Sequence, residues 1–335
     1  MAGRHPSHGI WSVPGLGTLL AGCLISVQSR MNGQLSTVFG QPVDAALWSF
    51  GSGLLVLTVL LGCSGRVRRG LRNLRAALGE RRIRWYHCLG GLSGGLFCVA
   101  QTYAAPAAGV ALFTIAVVGG QTTSALVVDR MGLGPAGRAP VTVPRVLASA
   151  LATSGVVIAV GGRFTGAGGS VVLPVLVAVG VGVLWTAQQA TNGRVSVATL
   201  NPWSTAWLNF ALGSAMVLGI LLVRGAAGGA HLPSSLDAPW WSWLGGLCGI
   251  GFVGISSVVV AQLGVLPVMV VSLVGQLSSA ALIDALSPQT RSHITPLVIV
   301  GLVVTMVAAA LAGVASVRAA GQVGGSRPDR GTVAG

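Results

Sequence analysis

Charge is scarce in this chain. Only 8% of its 335 residues are Asp, Glu, Lys or Arg, against about 25% in an ordinary soluble domain, so a normally polar, water-facing surface cannot be built from it. Acidic residues are scarcest: the six are Asp44, Glu80, Asp129, Asp237, Asp284 and Asp329, all at the ends of apolar runs, in loops or in tails. The pattern therefore lacks a mid-membrane carboxylate, the usual device for exchanging protons against a cationic drug. Lysine is absent, and all twenty basic residues are arginine. No P-loop, no H-E-x-x-H and no serine–histidine or serine–lysine pair falls within an apolar run, which argues against ATP-driven pumping by this chain and against intramembrane proteolysis. No catalytic constellation can be assembled, so an enzyme is disfavoured and no cofactor is implied. The five cysteines, Cys23, Cys63, Cys88, Cys98 and Cys248, contain no C-x-x-C and read as small reduced packing residues. The five histidines fall in tails or near run ends with no shared helical face, so no metal site is expected.

What the chain has in abundance is apolar sequence, 53% of residues. Runs of about twenty residues, the length that crosses a bilayer as a helix, recur at 14–33, 43–63, 86–105, 108–128, 144–162, 171–190, 203–223, 240–261, 264–284 and 294–316. This predicts an all-α integral membrane protein with ten transmembrane helices. The segment LLAGC, Leu19 to Cys23, matches a lipoprotein cleavage box, but no soluble domain follows and the segment recurs later with Val183 in place of Cys23, so it is read as helix.

The net charge of +14 is topology rather than an affinity for nucleic acid. With ten spans, sixteen arginines fall on the side of the termini and four, Arg30, Arg163, Arg224 and Arg291, on the other. The positive-inside rule then places both termini in the cytoplasm and the cluster Trp240, Trp241 and Trp243 at the opposite headgroup level. The expected divisions are a cytoplasmic tail 1–13, a first five-helix unit 14–163, a linker 164–170, a second unit 171–317 and a disordered cytoplasmic tail 318–335. Eight arginines crowd residues 66–84, where Leu71, Leu74 and Leu78 share one helical face. The segment reads as a topology anchor, with a short interfacial helix on anionic lipid as the alternative.

The most informative feature is an internal repeat. Shifted by 160 residues, QSRMNGQLSTVFGQPVDAALWSFGSG (28–53) overlies QQATNGRVSVATLNPWSTAWLNFALG (188–213) without a gap, matching Gln28 with Gln188, Asn32 with Asn192, Gly33 with Gly193, Pro42 with Pro202 and Phe50 with Phe210. A second register, shifted by 155, sets GQTTSALVVD (120–129) over GQLSSAALID (275–284) and pairs Trp85 with Trp240 and Gly94 with Gly249. Each unit holds five helices. An odd number makes the second unit enter the membrane from the opposite side, so the expectation is two inverted five-helix repeats, a common build of secondary transporters.

Within the repeat, Gln28 and Asn32 share a helix face, as do Gln188 and Asn192. The glutamines fit a polar cavity between the halves. The Asn-Gly pairs fit helix C-caps, because both residues tolerate the left-handed conformation that ends a helix, with the cavity as the other reading. Gln121 and Gln276 lie mid-helix, each followed at four-residue spacing by Ala and then Asp129 or Asp284. These glutamines are site candidates or interhelical glue; the aspartates read as structural, with coupling as the alternative.

These motifs, Q-x-x-x-N-G followed by G-x-P, S-F-x-x-G and G-Q with a later Asp, resemble the YdcZ-like family of the drug/metabolite transporter superfamily over residues 14–317. The second copy departs from them: Ser49 becomes Asn209, Gly40 becomes Leu200, and the arginine-rich segment has no counterpart. The resemblance implies a ten-helix exporter of small polar metabolites or drugs in the bacterial cytoplasmic membrane, working by alternating access. The expected cavity residues are Gln28, Asn32, Gln121, Gln188, Asn192, Asn209 and Gln276. The expected partners are membrane lipids and a small-molecule substrate, with a homodimer left open. The competing class is a non-transporting scaffold or lipid-interacting protein acting through residues 66–84.

Overall fold

The computed structural model describes residues 13–134, 137–138, 140–161, 171–229, 233–263 and 265–325. The tails at 1–12 and 326–335, and the expected linker 164–170, lie outside them. Among the described residues the chain forms eleven α-helices and no strand: α1 (Val13–Phe39), α2 (Pro42–Cys63), α3 (Gly65–Gly79), α4 (Gly90–Ala108), α5 (Val110–Met131), α6 (Val143–Gly161), α7 (Val172–Thr199), α8 (Pro202–Ala226), α9 (Gly245–Leu263), α10 (Val265–Leu286) and α11 (Pro296–Gly325). Short 3-10 turns, Trp85–Leu89, Trp240–Leu244 and Arg291–His293, precede α4, α9 and α11. Helix α11 runs on to Gly325, into the stretch expected to be a disordered tail.

Among the described residues, six helices are long and apolar enough to cross a membrane: α2, α5, α6, α7, α8 and the part of α11 from Pro296 to Val314. Helices α1 and α4 are not among them. Their interiors carry Gln28, Ser29, Arg30 and Asn32, and Gln101, Thr102 and Tyr103. Those side chains need protein partners, because hydrocarbon supplies none.

The packing exchanges helices between the halves. Helix α1 lies against α9 and α10, while α7 lies against α4 and α5; α2 meets α8, and α6 meets α11. Glycines set the closeness of these crossings. A Cβ at Gly22 would overlap the carbonyl of Ser272, and one at Gly275 that of Leu19, so α1 and α10 touch backbone to backbone. Gly182 meets the carbonyl of Val117 and Gly120 that of Val179 in the same way where α7 crosses α5. Small residues that let backbones approach are the means by which helices gain contact where the surrounding solvent is itself apolar. The largest core cluster forms around α5, with Leu112, Phe113, Ile115 and Val117 no more than 1% exposed.

Helix α3 is an amphipathic helix, and part of its apolar face packs on protein. Leu74 and Ala77 pack with Val195 and Ala198, Ser204 Oγ donates to the carbonyl of Val67 at 2.8 Å, and Gly70 sits against Ser204 and Asn201. The helix therefore lies over the α7–α8 turn and turns its arginines outward. The matching turn of the first half is covered differently: Ser234 N donates to the carbonyl of Phe39, and Arg224 donates to Gln41 Oε1 at 2.7 Å. Trp243 packs edge-on against Phe39 and Trp48, and Trp48 Nε1 donates to its carbonyl.

Candidate functional site

Neither Asn-Gly pair caps a helix. Helices α1 and α7 run unbroken through Asn32-Gly33 and Asn192-Gly193 and end six or more residues later, where Gly40 (φ 70°) and Leu200 (φ 54°) take the left-handed conformation. Gly33 serves close approach: a Cβ there would press on the Pro106 ring at 3.3 Å. The cap reading of these pairs is thus corrected, and Asn32 is left to an interior role.

Asn32 is fully buried. Its Nδ2 donates to Gln101 Oε1 at 2.8 Å, and Gln101 Nε2 donates to Ser29 Oγ at 2.6 Å. Ser29 Oγ in turn donates to the carbonyl of Ile25. Asn32 Oδ1 points at Gly245, where a Cβ would overlap it, and accepts no hydrogen bond from the described residues. Gln101, also fully buried, joins this network from α4 and was missed by sequence reasoning because the repeat does not mark it. At the 155-residue shift its place is taken by Ser256. The available signal was a lone amide in the middle of an apolar run. In the other half, Asn192 is partly exposed and directs Oδ1 at Gly90, the repeat mate of Gly245.

Gln28 and Gln188, both buried, occupy matching places. Gln188 and Phe50 close on Gly94, Gln28 and Phe210 close on Gly249, and the Phe50 and Phe210 rings stack at 4.9 Å between centroids. The two glycines leave room for amide groups beside an aromatic pair. Gln188 Oε1 is buried and accepts no hydrogen bond from the described residues. A buried acceptor without a donor costs about 1–3 kcal/mol, so Gln188 Oε1 keeps hydrogen-bonding capacity for a water or a bound molecule.

The other candidates sit elsewhere. Gln121 and Gln276 are held through their backbone carbonyls: Thr186 Oγ1 donates to Gln121 O at 3.2 Å and Ser26 Oγ to Gln276 O at 2.6 Å. Both bonds lie in the close glycine crossings, α7 with α5 and α1 with α10. Asn209 turns its Nδ2 back to the Thr205 carbonyl of its own helix at 3.0 Å. Asp129 forms an ion pair with the buried Arg145 of α6. Asp284 is 1% exposed, and its Oδ2 accepts the N–H of Ala111 at 2.7 Å, closing the first turn of α5.

The Asn32 network opens into a cavity of about 210 Å³. Ser29, Arg30 and Gln34 of α1, Pro106 at the end of α4, and Gln289 and Thr290 between α10 and α11 line it. It lies toward the C-terminal end of α1, whereas α3 lies at the opposite end of the helices.

A bundle of apolar, membrane-length helices with buried, unpaired amide oxygens between its halves is the build of a multi-pass membrane transporter. Comparison with known families is specific. A family model described as "Putative inner membrane exporter, YdcZ" matches residues 13–158 and again 173–311, and the chain belongs to this family. The model's two matches fall on the two copies of the repeat. No curated protein matches the chain.

Proposed function

We propose that this protein is a secondary transporter that exports a small polar metabolite or drug across the bacterial cytoplasmic membrane, by alternating access between two inverted five-helix halves. The observation that carries the reading is the matched pair of amide sites, Gln28 at Gly249 beside Phe210 and Gln188 at Gly94 beside Phe50, joined by the ring stack. Two equivalent sites on either side of a central aromatic pair give a solute the same contacts from each membrane face in turn, which is what inverted repeats make available. The exchange of α1 and α7 between halves supports it, since each half then moves against a helix of the other. Asn32 and Asn192, aimed at Gly245 and Gly90, extend the polar lining. Gln121, Gln276 and Asn209 take supporting places around it, and Asp129 and Asp284 brace helix ends. The arginine-rich face of α3 marks the cytoplasmic side and contacts anionic headgroups as an anchor.

The test is solute-induced stabilisation of the purified protein across amino acids, sugars, nucleosides, polyamines and drugs, followed by flux of the hit in proteoliposomes. A ligand of the folded state raises the melting temperature by mass action. Gln28→Leu and Gln188→Leu should each remove the shift and the flux while the protein still inserts. Normal flux in both sinks the assignment.

A further inference from the structure

Arg30 stands out because a charge so placed in an apolar chain needs a partner, and the structure gives it no acidic one. Among the described residues the ion pairs are Arg82 with Glu80 and Arg145 with Asp129. Arg30 is half-buried in the wall of the 210 Å³ cavity, its guanidinium 5.9 Å over the ring of Trp241, with one N–H directed at Gln289 Oε1 at 3.3 Å. A guanidinium has five donors in a fixed planar fork, so the bond to Gln289 leaves most of its hydrogen-bonding capacity unspent among the described residues. Gln34 and Gln289 add amide groups to the same walls. The carboxylate of Asp284 is buried and holds the N–H of Ala111, while Thr290 of the cavity wall donates to the Asp284 backbone carbonyl.

The repeat sharpens the point. Gln34 corresponds to Arg194 in the second half, and Arg194 is turned onto backbone: its Nε and Nη2 donate to the carbonyls of Leu133 and Gly132, each at 2.7 Å, closing the end of α5. Arg30 corresponds to Ala190. One half therefore uses its arginine to seal a helix end, while the other presents a differently placed arginine to an open, hydrogen-bonding cavity.

We infer that the Arg30 cavity binds an oxyanion, a carboxylate or phosphate group, through the Arg30 fork with Gln34 and Gln289 beside it. A planar guanidinium matches the two oxygens of such a group with paired, charge-assisted hydrogen bonds. The oxyanion comes either from a soluble solute or from a lipid headgroup. Assigning it to the exported solute rests on the transporter reading, whereas the binding itself does not.

The experiment uses the full chain in nanodiscs of phosphatidylcholine, titrated with sodium lactate, sodium succinate or sodium phosphate against sodium chloride of equal ionic strength. Melting temperature and tryptophan fluorescence are the readouts, Trp241 lying under Arg30. At least one oxyanion should raise the melting temperature, and Arg30→Gln should weaken its binding at least about tenfold, the scale of a lost charge-assisted hydrogen bond. Arg291→Gln, an exposed neighbour outside the cavity lining, should leave it unchanged. Arg30→Lys keeps the charge without the fork and Gln289→Ala removes an exposed amide; both should weaken binding, and they carry the test if Arg30→Gln does not elute as folded protein. A response to the soluble anions assigns the site to a solute; a response only when phosphatidylglycerol is added to the discs, lost in Arg30→Gln, assigns it to a headgroup. No response to any of these, or an equal response in the Arg30 variants, overturns the inference. Anion binding without anion flux in vesicles sinks the assignment of the anion to the exported solute and leaves the site standing.

Discussion

Leu200 holds at φ 54° the left-handed backbone that Gly40 holds at φ 70° at the matching place in the first half. An L side chain in that region crowds its own carbonyl, at a cost of about 1–2 kcal/mol. Leu200 is 80% exposed, so its side chain recovers little by packing within the protein. Leu200→Gly should therefore raise the melting temperature in detergent, by the equivalent of about 0.5–1 kcal/mol once the extra chain entropy of glycine is counted. A lower melting temperature would show that the leucine is held by contacts with its surroundings.

The next residue, Asn201, caps α8 by accepting the N–H groups of Trp203 and Ser204 at 3.0 and 3.2 Å. Asn201→Ala should destabilise by about 1 kcal/mol. The corresponding Gln41 makes no such cap, so Gln41→Ala should act instead through loss of the Arg224 contact. Chemical denaturation of the three proteins side by side distinguishes the two effects.

Glycine crossings should be intolerant of a single methyl group. Gly120→Ala and Gly275→Ala each drive a Cβ into a carbonyl of the facing helix, and overpacking of this kind costs about 1–3 kcal/mol. Gly219 of α8 has open space where its Cβ would be, so Gly219→Ala serves as the control and should be neutral or stabilising. Equal melting temperatures in all three would refute the tight crossings.

Replacing Gln101 by Leu removes the acceptor of Asn32 Nδ2 and the donor to Ser29 Oγ in one step. Stranding these buried groups should cost roughly 1–3 kcal/mol each. The double variant Asn32→Leu with Gln101→Leu should lose less than the sum of the single changes, because the groups act as one network. Strict additivity in a double-mutant cycle would show that the contact contributes nothing.

For α3 the two faces should separate. Leu74→Ala empties a buried position against Val195 and should cost about 2–3 kcal/mol. Changing the exposed Arg66, Arg69 and Arg72 to Gln should leave stability and flux intact while weakening retention on anionic vesicles. Loss of flux in the neutralised protein, with normal flux in Gln28→Leu, would favour the scaffold class over a transporter.

How much of this was legible beforehand depends on whether the signal was local or paired. Helix positions followed from apolar run length, and the matched Gln28 and Gln188 from the repeat itself. The ends of α1 and α7 did not, because Asn-Gly is a good stopping signal on its own and only contact with α4 and α9 keeps these helices going. Gln101 and Arg30 escaped because each lacks an equivalent in the second half, and a search guided by symmetry passes over what symmetry does not repeat. The apolar face of α3 was visible as a pattern, yet a sequence cannot distinguish protein from lipid as the surface that receives it. For Gln121 and Gln276 the repeat marked equivalent places at the two glycine crossings, and the bonds found there belong to their carbonyls.

The interlocking of α1 and α7 bears on how the protein is made. Ser26 reaches Gln276 across 250 residues of chain, so the first helix is synthesised long before its partner exists. Until α9 and α10 emerge, α1 must wait with Gln28 and Gly22 uncovered, and contacts this distant in sequence form slowly. A ribosome stalled after the first half would leave a membrane intermediate whose grooved, polar face fits the leading helix of the missing half. Quality control of this protein is thus a matter of timing, with the second half completing the first.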